Sequence, residues 1–114
     1  MSRVVLLVDD DPLVLDVAAS MLEDIGCEVV TAAGGAEALE KLSGDERIEV
    51  LITDINMPDI DGHALAKEAT QKRDNLKVLV LSGRESDGCG FPLIRKPFLQ
   101  EDLKEAMAQH TGLC

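Results

Sequence analysis

Basic residues are scarce in this chain: 11 Lys and Arg stand against 22 Asp and Glu in 114 residues, a formal net charge of -11. That balance argues against a general binder of nucleic acid or of a membrane surface, both of which require a basic face. Long apolar runs are missing too. The longest aliphatic stretch, Val4 to Val8, has five residues, far short of the roughly 20 that cross a bilayer. Ser2-Arg3 leads into it without the pattern of a signal peptide, so the expected location is cytoplasmic. Cysteine is sparse and unpatterned: Cys27, Cys89 and Cys114 lack C-x-x-C or Cys/His ligand spacing and read as reduced, incidental thiols. His63 and His110 are isolated, with no acidic or metal-binding constellation beside either. No internal repeat, low-complexity tract or linker interrupts the chain, and residues 1–114 are expected to form one domain with no output domain.

What is present suffices for one core, since 46% of the residues are hydrophobic. Runs with strand character alternate with runs of helical periodicity, which predicts a parallel sheet with helices on both faces. The first helix opens on Asp11-Pro12, a capping acid followed by proline at the first helical position. Val14, Ala18, Met21, Leu22 and Ile25 mark its inner face, and Gly26 closes it. A second strand over Glu28 to Ala32 leads through Gly34-Gly35 into a short helix around Ala36 to Leu42. The run Ile48 to Thr53 forms a third strand ending at Asp54, and Leu65, Ala66 and Ala69 mark a third helix after the Pro58-to-Gly62 turn. Leu76 to Leu81 reads as a fourth strand and Leu93 to Arg95 as a fifth. The last helix spans about Gln100 to His110, with Leu103, Ala106, Met107 and His110 on one side.

Between the fourth and fifth strands, Gly83 to Pro92 offers ten residues, three of them glycine and one proline. A parallel crossover with its helix takes at least about 10 to 12 residues, and this composition disfavours a helix. The expectation is a loop or a single helical turn there.

The polar residues worth most attention stand at the carboxyl ends of these strands. Asp54 ends the third, Asp9 and Asp10 the first, Ser82 the fourth, and Lys96 follows the fifth. A carboxylate at the end of a buried strand is costly unless something compensates it. Open parallel sheets bind ligands beyond the carboxyl ends of their strands where the strand order reverses, which for order 2-1-3-4-5 lies between the first and third strands. Asp9 and Asp10 then face Asp54, and three converging carboxylates repel one another. A divalent cation with oxygen preference relieves that conflict, and Mg²⁺ suits one or two carboxylates plus a phosphate. Lys96 adds a positive charge and Ser82 a hydroxyl. The set reads as machinery for moving a phosphoryl group onto Asp54, with positioning and charge neutralisation supplying the catalysis.

VDDDP, ITDINMPDIDG, VLVLSG and IRKPF, in that order along the whole chain, resemble the receiver domains of two-component response regulators. The resemblance implies a flavodoxin-like, doubly wound (βα)5 sandwich with a five-stranded parallel sheet of order 2-1-3-4-5. It implies phosphoryl transfer from a histidine kinase or histidine phosphotransfer protein onto Asp54, and a signalling role rather than that of a turnover enzyme. By position, Asp10 is a direct Mg²⁺ ligand, Asp9 a ligand largely through water, and Asn56 a ligand through its backbone carbonyl. Ser82 is the switch hydroxyl and Lys96 its ion-pair partner. Two departures stand out. Leu93 occupies the position three before the lysine where receivers usually carry an aromatic residue, and the family's fourth helix would fall in the glycine-rich Gly83 to Pro92 segment, where it is shortened or replaced by a loop. That segment is expected to change order on phosphorylation. Arg84, two residues after the switch hydroxyl, is no acid that could align water, and a slow hydrolysis of the acyl phosphate is expected.

The main alternative is a receiver-shaped interaction module that is not phosphorylated, although such degenerate receivers usually lose an acid or the lysine. A phosphatase with an aspartate nucleophile would want a second Asp where Asn56 stands, and a longer chain for a substrate cap. Gly88-Cys89-Gly90 lacks the third glycine of a dinucleotide fingerprint. Within the receiver reading, a free-standing regulator, a phosphorelay shuttle and the receiver of a hybrid kinase remain open.

Overall fold

A computed structural model describes residues 3–55, 57, 59–82, 92–96 and 98–111, with backbone alone at 110 and 111. Its elements are β1 (Val4–Val8), α1 (Pro12–Asp24), β2 (Glu28–Ala32), α2 (Gly35–Gly44), β3 (Ile48–Asp54), α3 (Gly62–Lys72), β4 (Lys77–Ser82), β5 (Leu93–Arg95) and α4 (Gln100–Thr111). The five strands form one parallel sheet of order β2-β1-β3-β4-β5; the alternation of strand and helix periodicity predicts the parallel sheet, and the resemblance to receiver domains implies its order. Four helices occur among the described residues. The expected loop at Gly83 to Pro92 lies, except for Pro92, outside them, as do Asn56, Arg84, Cys89, Cys114 and the side chain of His110.

The central strands are apolar on both sides because both sides are covered. Leu6, Val8, Leu51, Val78 and Val80 pack toward α2 and α3 with Leu42, Leu65, Ala66 and Ala69. Val5, Leu7, Val50, Ile52, Leu79, Leu81 and Ile94 pack toward α1 and α4 with Ala18, Leu22, Leu103 and Met107. Side chains alternate along a strand, so strand phase decides which layer each residue joins. One irregularity breaks the alternation: Val4 pairs with Ile48 but Val5 with Val50. The extra residue, Glu49, points outward to Arg3 at 3.4 Å, while Ile48 stays buried.

Helix α1 starts and stops as its sequence dictates. The Asp11 carboxylate accepts from Leu13 N, with Pro12 at the first helical position. At the other end the Cys27 N–H donates to the Leu22 carbonyl at 3.0 Å and the Gly26 N–H to Glu23 at 3.0 Å. Gly26 has φ 99°, the left-handed conformation that glycine adopts freely. The inner face is slightly rotated from the periodicity reading: Leu15 and Ala19 join Ala18, Met21, Leu22 and Ile25 in the core, and Val14 does not. Leu15 lies one turn before Ala18 and Ala19, whereas the exposed Leu13 and Val17 continue the outer side.

Helix α2 has no side-chain cap of its own, because the capping position is Gly34. Asp59, from the loop between β3 and α3, supplies it from a distance: its two carboxylate oxygens accept from Gly35 N at 3.2 Å and Ala36 N at 3.0 Å. At its far end, the Arg73 guanidinium donates to the carbonyls of Leu42, Asp45, Glu46 and Ile48. No helix among the described residues is long and apolar enough to cross a membrane.

Candidate functional site

Strands β1 and β3 are neighbours and run in the same direction, so Asp9 and Asp54 emerge side by side at the carboxyl edge of the sheet. Asp9 continues the phase of Val5 and Leu7, Asp54 that of Val50 and Ile52, and Lys96 that of Ile94, all on the α1/α4 side. The strand phases that build this layer of the core therefore also aim the site residues at one another. Ser82 has the opposite phase, shared with Val78 and Val80.

Carboxylate oxygens of Asp9, Asp10 and Asp54 lie within 4.8 Å of one another. Asp9 and Asp54 are buried and Asp10 is exposed. The Lys96 ammonium bridges the two buried acids, 2.9 Å from Asp9 Oδ2 and 3.1 Å from Asp54 Oδ1. The second oxygen of Asp9 accepts from the Asp11 N–H at 2.9 Å. Strand β5 is held for this task by the Lys96 N–H, which donates to the Ser82 carbonyl at 2.7 Å. Ser82 itself is buried at the end of β4, one residue beyond Leu81, the residue paired with Asp54.

One lysine shared between two acids leaves each short of a full counter-charge. Burial pushes the Asp54 carboxyl above its ordinary 3.8, and the Asp9 charge adds to the rise, while Lys96 only partly opposes it. Burial by itself would lower the Lys96 ammonium; its hydrogen bonds to Asp9 and Asp54 outweigh that and hold it above 10.5. The site thus combines a desolvated carboxylate with excess negative charge and a fixed ammonium. Its three acids offer the hard oxygen donors that a small divalent cation takes, and the excess charge is what such a cation would cancel.

The sequence-predicted residues Asp9, Asp10, Asp54 and Lys96 meet in one cluster, Ser82 stands at the adjoining strand end, and Asn56 lies outside the described residues. Sequence reading missed Asp59. Its signal was indirect: a helix starting at Gly34-Gly35 has orphan N–H groups and no Ser, Thr, Asp or Asn at the capping position to satisfy them.

The loop between β3 and α3 is built tightly against Asp54. The Gly62 N–H donates to the Ile55 carbonyl at 2.8 Å. A Cβ on Gly62 would lie 2.7 Å from the Ile55 Cα and would run into the Asp54 carbonyl oxygen, so only glycine fits. Asp61 then caps α3 by accepting from His63 N at 2.7 Å.

The fold is a doubly wound α/β domain whose three acids and lysine gather beyond the carboxyl ends of its strands, where such sheets place their ligand sites. The model of the response regulator receiver domain matches residues 5–108, and the chain belongs to that family of two-component signalling domains. It is 32% identical to the sensor protein TorS of Escherichia coli over 95% of this chain and 13% of the relative. It is 34% identical to the response regulator MprA of Mycobacterium ulcerans over 94% of this chain and 49% of the relative. The chain thus spans half or less of the length of these curated relatives. The chemotaxis protein CheY4 of Vibrio cholerae superposes with a TM-score of 0.89 at 29% identity, covering 96% of this chain and 99% of that one.

Proposed function

We propose that the chain accepts a phosphoryl group on Asp54 from the phosphohistidine of a histidine kinase or histidine phosphotransfer protein, and signals to a partner through the resulting change in conformation. The observation that carries this reading is the buried Asp54 carboxylate at a strand end, bonded to Lys96 and flanked by Asp9 and Asp10. An Asp54 oxygen attacks phosphorus; the new P–O bond forms as the P–N bond to the donor imidazole breaks, and the imidazole leaves with the electron pair and takes up a proton. Lys96 stands where it can neutralise charge on the incoming oxygens and then pair with the acyl phosphate. Ser82 supplies the switch hydroxyl. Asp9, Asp10, Asp54 and the backbone carbonyl of Asn56 would hold Mg²⁺, which supplies further charge neutralisation on the phosphoryl oxygens. The domain turns over no substrate of its own beyond this transfer and the slow loss of the group to water, and residues 1–114 act as one receiver in the cytoplasm.

Exposed apolar residues support a docking partner beside the site. Leu13 is 72% exposed and Leu99 68% exposed; they lie four residues after Asp9 and three after Lys96, on the segments that leave the acid cluster. Intact-protein mass after incubation with Mg²⁺ and acetyl phosphate tests the reading. One phosphoryl adduct, absent with chelator and in Asp54→Asn, is expected. No adduct with acetyl phosphate or with histidine kinases would refute it in favour of an interaction module without phosphorylation.

A further inference from the structure

The sheet ends on one side at β2, whose Val29, Val30 and Thr31 are β-branched residues suited to strand pairing and only half-buried. In a parallel ladder alternate residues send both backbone groups to the same side. The Glu28 N–H donates to the Arg3 carbonyl and the Asp9 N–H to the Ala32 carbonyl, so Glu28, Val30 and Ala32 face β1 while Val29, Thr31 and Ala33 turn their N–H and C=O outward. Two of these outward groups are occupied, both by side chains of α2. Lys41 Nζ donates to the Thr31 carbonyl, and the Ala33 N–H donates to Glu37 Oε1 at 3.3 Å. Glu37 and Lys41 also meet each other at 3.1 Å. The bonds from Lys41 and from Ala33 hold the Glu37 carboxyl below its ordinary 4.5, so the arrangement is ionised at neutral pH.

We propose that the Glu37–Lys41 pair closes the outer edge of β2 against strand addition by a second copy of this chain. Their spacing and their places on the helix, the acid early and the lysine late, explain why the two attract. They do not explain why both reach the strand. With 46% of the Glu37 side chain and 39% of the Lys41 side chain exposed, the pair adds little to stability. The occupant follows from the symmetry of the edge itself. Two β2 strands set antiparallel about a two-fold axis at Val30 bring Val29 opposite the partner's Thr31, and each such pair exchanges two N–H···O bonds. Of the four bonds made, two fall on Thr31 carbonyls, the groups that Lys41 holds. Charged side chains, lysine above all, are a common device against edge-to-edge pairing; here the neighbouring helix supplies the lysine. The inference does not depend on the chemistry of Asp54.

The test is sedimentation equilibrium of the whole chain in about 0.5 M NaCl, where the repulsion between acidic chains is screened beyond a few ångströms. Glu37→Ala with Lys41→Ala leaves the net charge of -11 unchanged and keeps good helix formers in α2. It should self-associate about 25-fold more tightly than wild type, about fivefold for each of the two Thr31 carbonyls set free. Hydrogen exchange read by NMR locates the contact: the Val29 and Thr31 amides should exchange more slowly as the concentration of the variant rises, and should not do so in wild type. Lys41→Ala alone frees the same carbonyl and keeps the Glu37 bond at the start of α2; it should shift association in the same direction, and it decides the question if the double variant does not fold. Association no tighter than wild type in the variant that folds overturns the proposal. So does a dimer whose Val29 and Thr31 amides exchange as in the monomer, which would place the contact elsewhere.

Discussion

Asp54→Asn should raise the melting temperature in chelator and remove the gain that Mg²⁺ gives the wild type. At an effective dielectric of about 20, the pair at 3.1 Å between Lys96 and Asp54 is worth about 5 kcal/mol of attraction. Repulsion from Asp9 within 4.8 Å costs at least about 3 kcal/mol on the same scale, and the exposed Asp10 adds a screened remainder. The charge terms roughly cancel, which leaves the dehydration of the Asp54 carboxylate uncompensated, in keeping with the upward shift of its pKa. Asparagine has the same shape, still offers Lys96 an oxygen, and should stabilise the metal-free fold by about 1–2 kcal/mol. With an unfolding entropy of about 2.1 cal/mol/K per residue, that is roughly 4–8 °C for this chain. In Mg²⁺ at about ten times its Kd, the wild type should gain about 1.4 kcal/mol, or about 6 °C, and the variant much less. The sign with pH follows from the raised folded-state pKa: stability tied to the protonated Asp54 is present below the ordinary 3.8 and lost as pH rises through the higher folded value. The advantage of the variant should therefore shrink toward zero in acid. Calorimetric melts of both proteins, with chelator and with Mg²⁺ from pH 3 to 8, check this; a variant that melts below wild type in chelator at pH 7 would refute the charge accounting.

Lys96→Ala removes the cation that Asp9 and Asp54 share and should cost about 1–3 kcal/mol, discounted for the partly exposed lysine; urea unfolding reads it, and a second change, Asp54→Asn, should recover part of the loss. Gly62→Ala forces a methyl against the Asp54 backbone and should destabilise by about 1–3 kcal/mol, with amide shifts in NMR spectra centred on residues 54–62. Arg73→Met loses the bonds to four carbonyls at the end of α2 and should cost about 1–2 kcal/mol in the same unfolding assay, with acetyl phosphate labelling unchanged. Leu13→Ser with Leu99→Ser should slow phosphotransfer from a histidine kinase but not from acetyl phosphate; equal slowing with both donors would show that these residues act on the site and not on docking.

The acid cluster was legible in the sequence because strands announce their ends. Apolar runs that stop at Asp9, Asp54 and Ser82 and just before Lys96 give both the sheet and the side on which its chemistry collects, and strand phase does the rest. The caps Asp11 and Asp61 are local patterns of one or two residues; Asp11 was readable as one. Asp59 was not legible as a cap, because it serves a helix that begins 24 residues earlier, a tertiary relation with no sequence period. The outward turn of Glu49 was equally hidden: alternation places it on the inner side, and only the pairing of Val4 with Ile48 shows that the strand takes in an extra residue there. The choice of Leu15 over Val14 as a core contact is a rotation of less than half a turn, finer than periodicity resolves.

Asp9, Asp54 and Lys96 share the phase of the α1/α4 layer and Ser82 the opposite phase, and all four stand at the carboxyl edge of the sheet. A doubly negative group added at Asp54 would stand at that edge, outside the packed interior. A route to the rest of the surface would then run along the rim, through the segments that leave β1 and β3. The interior offers a poor route, for Val5, Leu6, Leu7, Leu51, Ile52 and Leu79 are sealed from solvent and packed as densely as a molecular crystal. On the phosphoacceptor reading, signal and stability would be separated in space: methyl resonances of those six residues should stay in place on phosphorylation while backbone amides along the rim move, and surface loops are free to diversify toward new partners without disturbing the core that aims the acids.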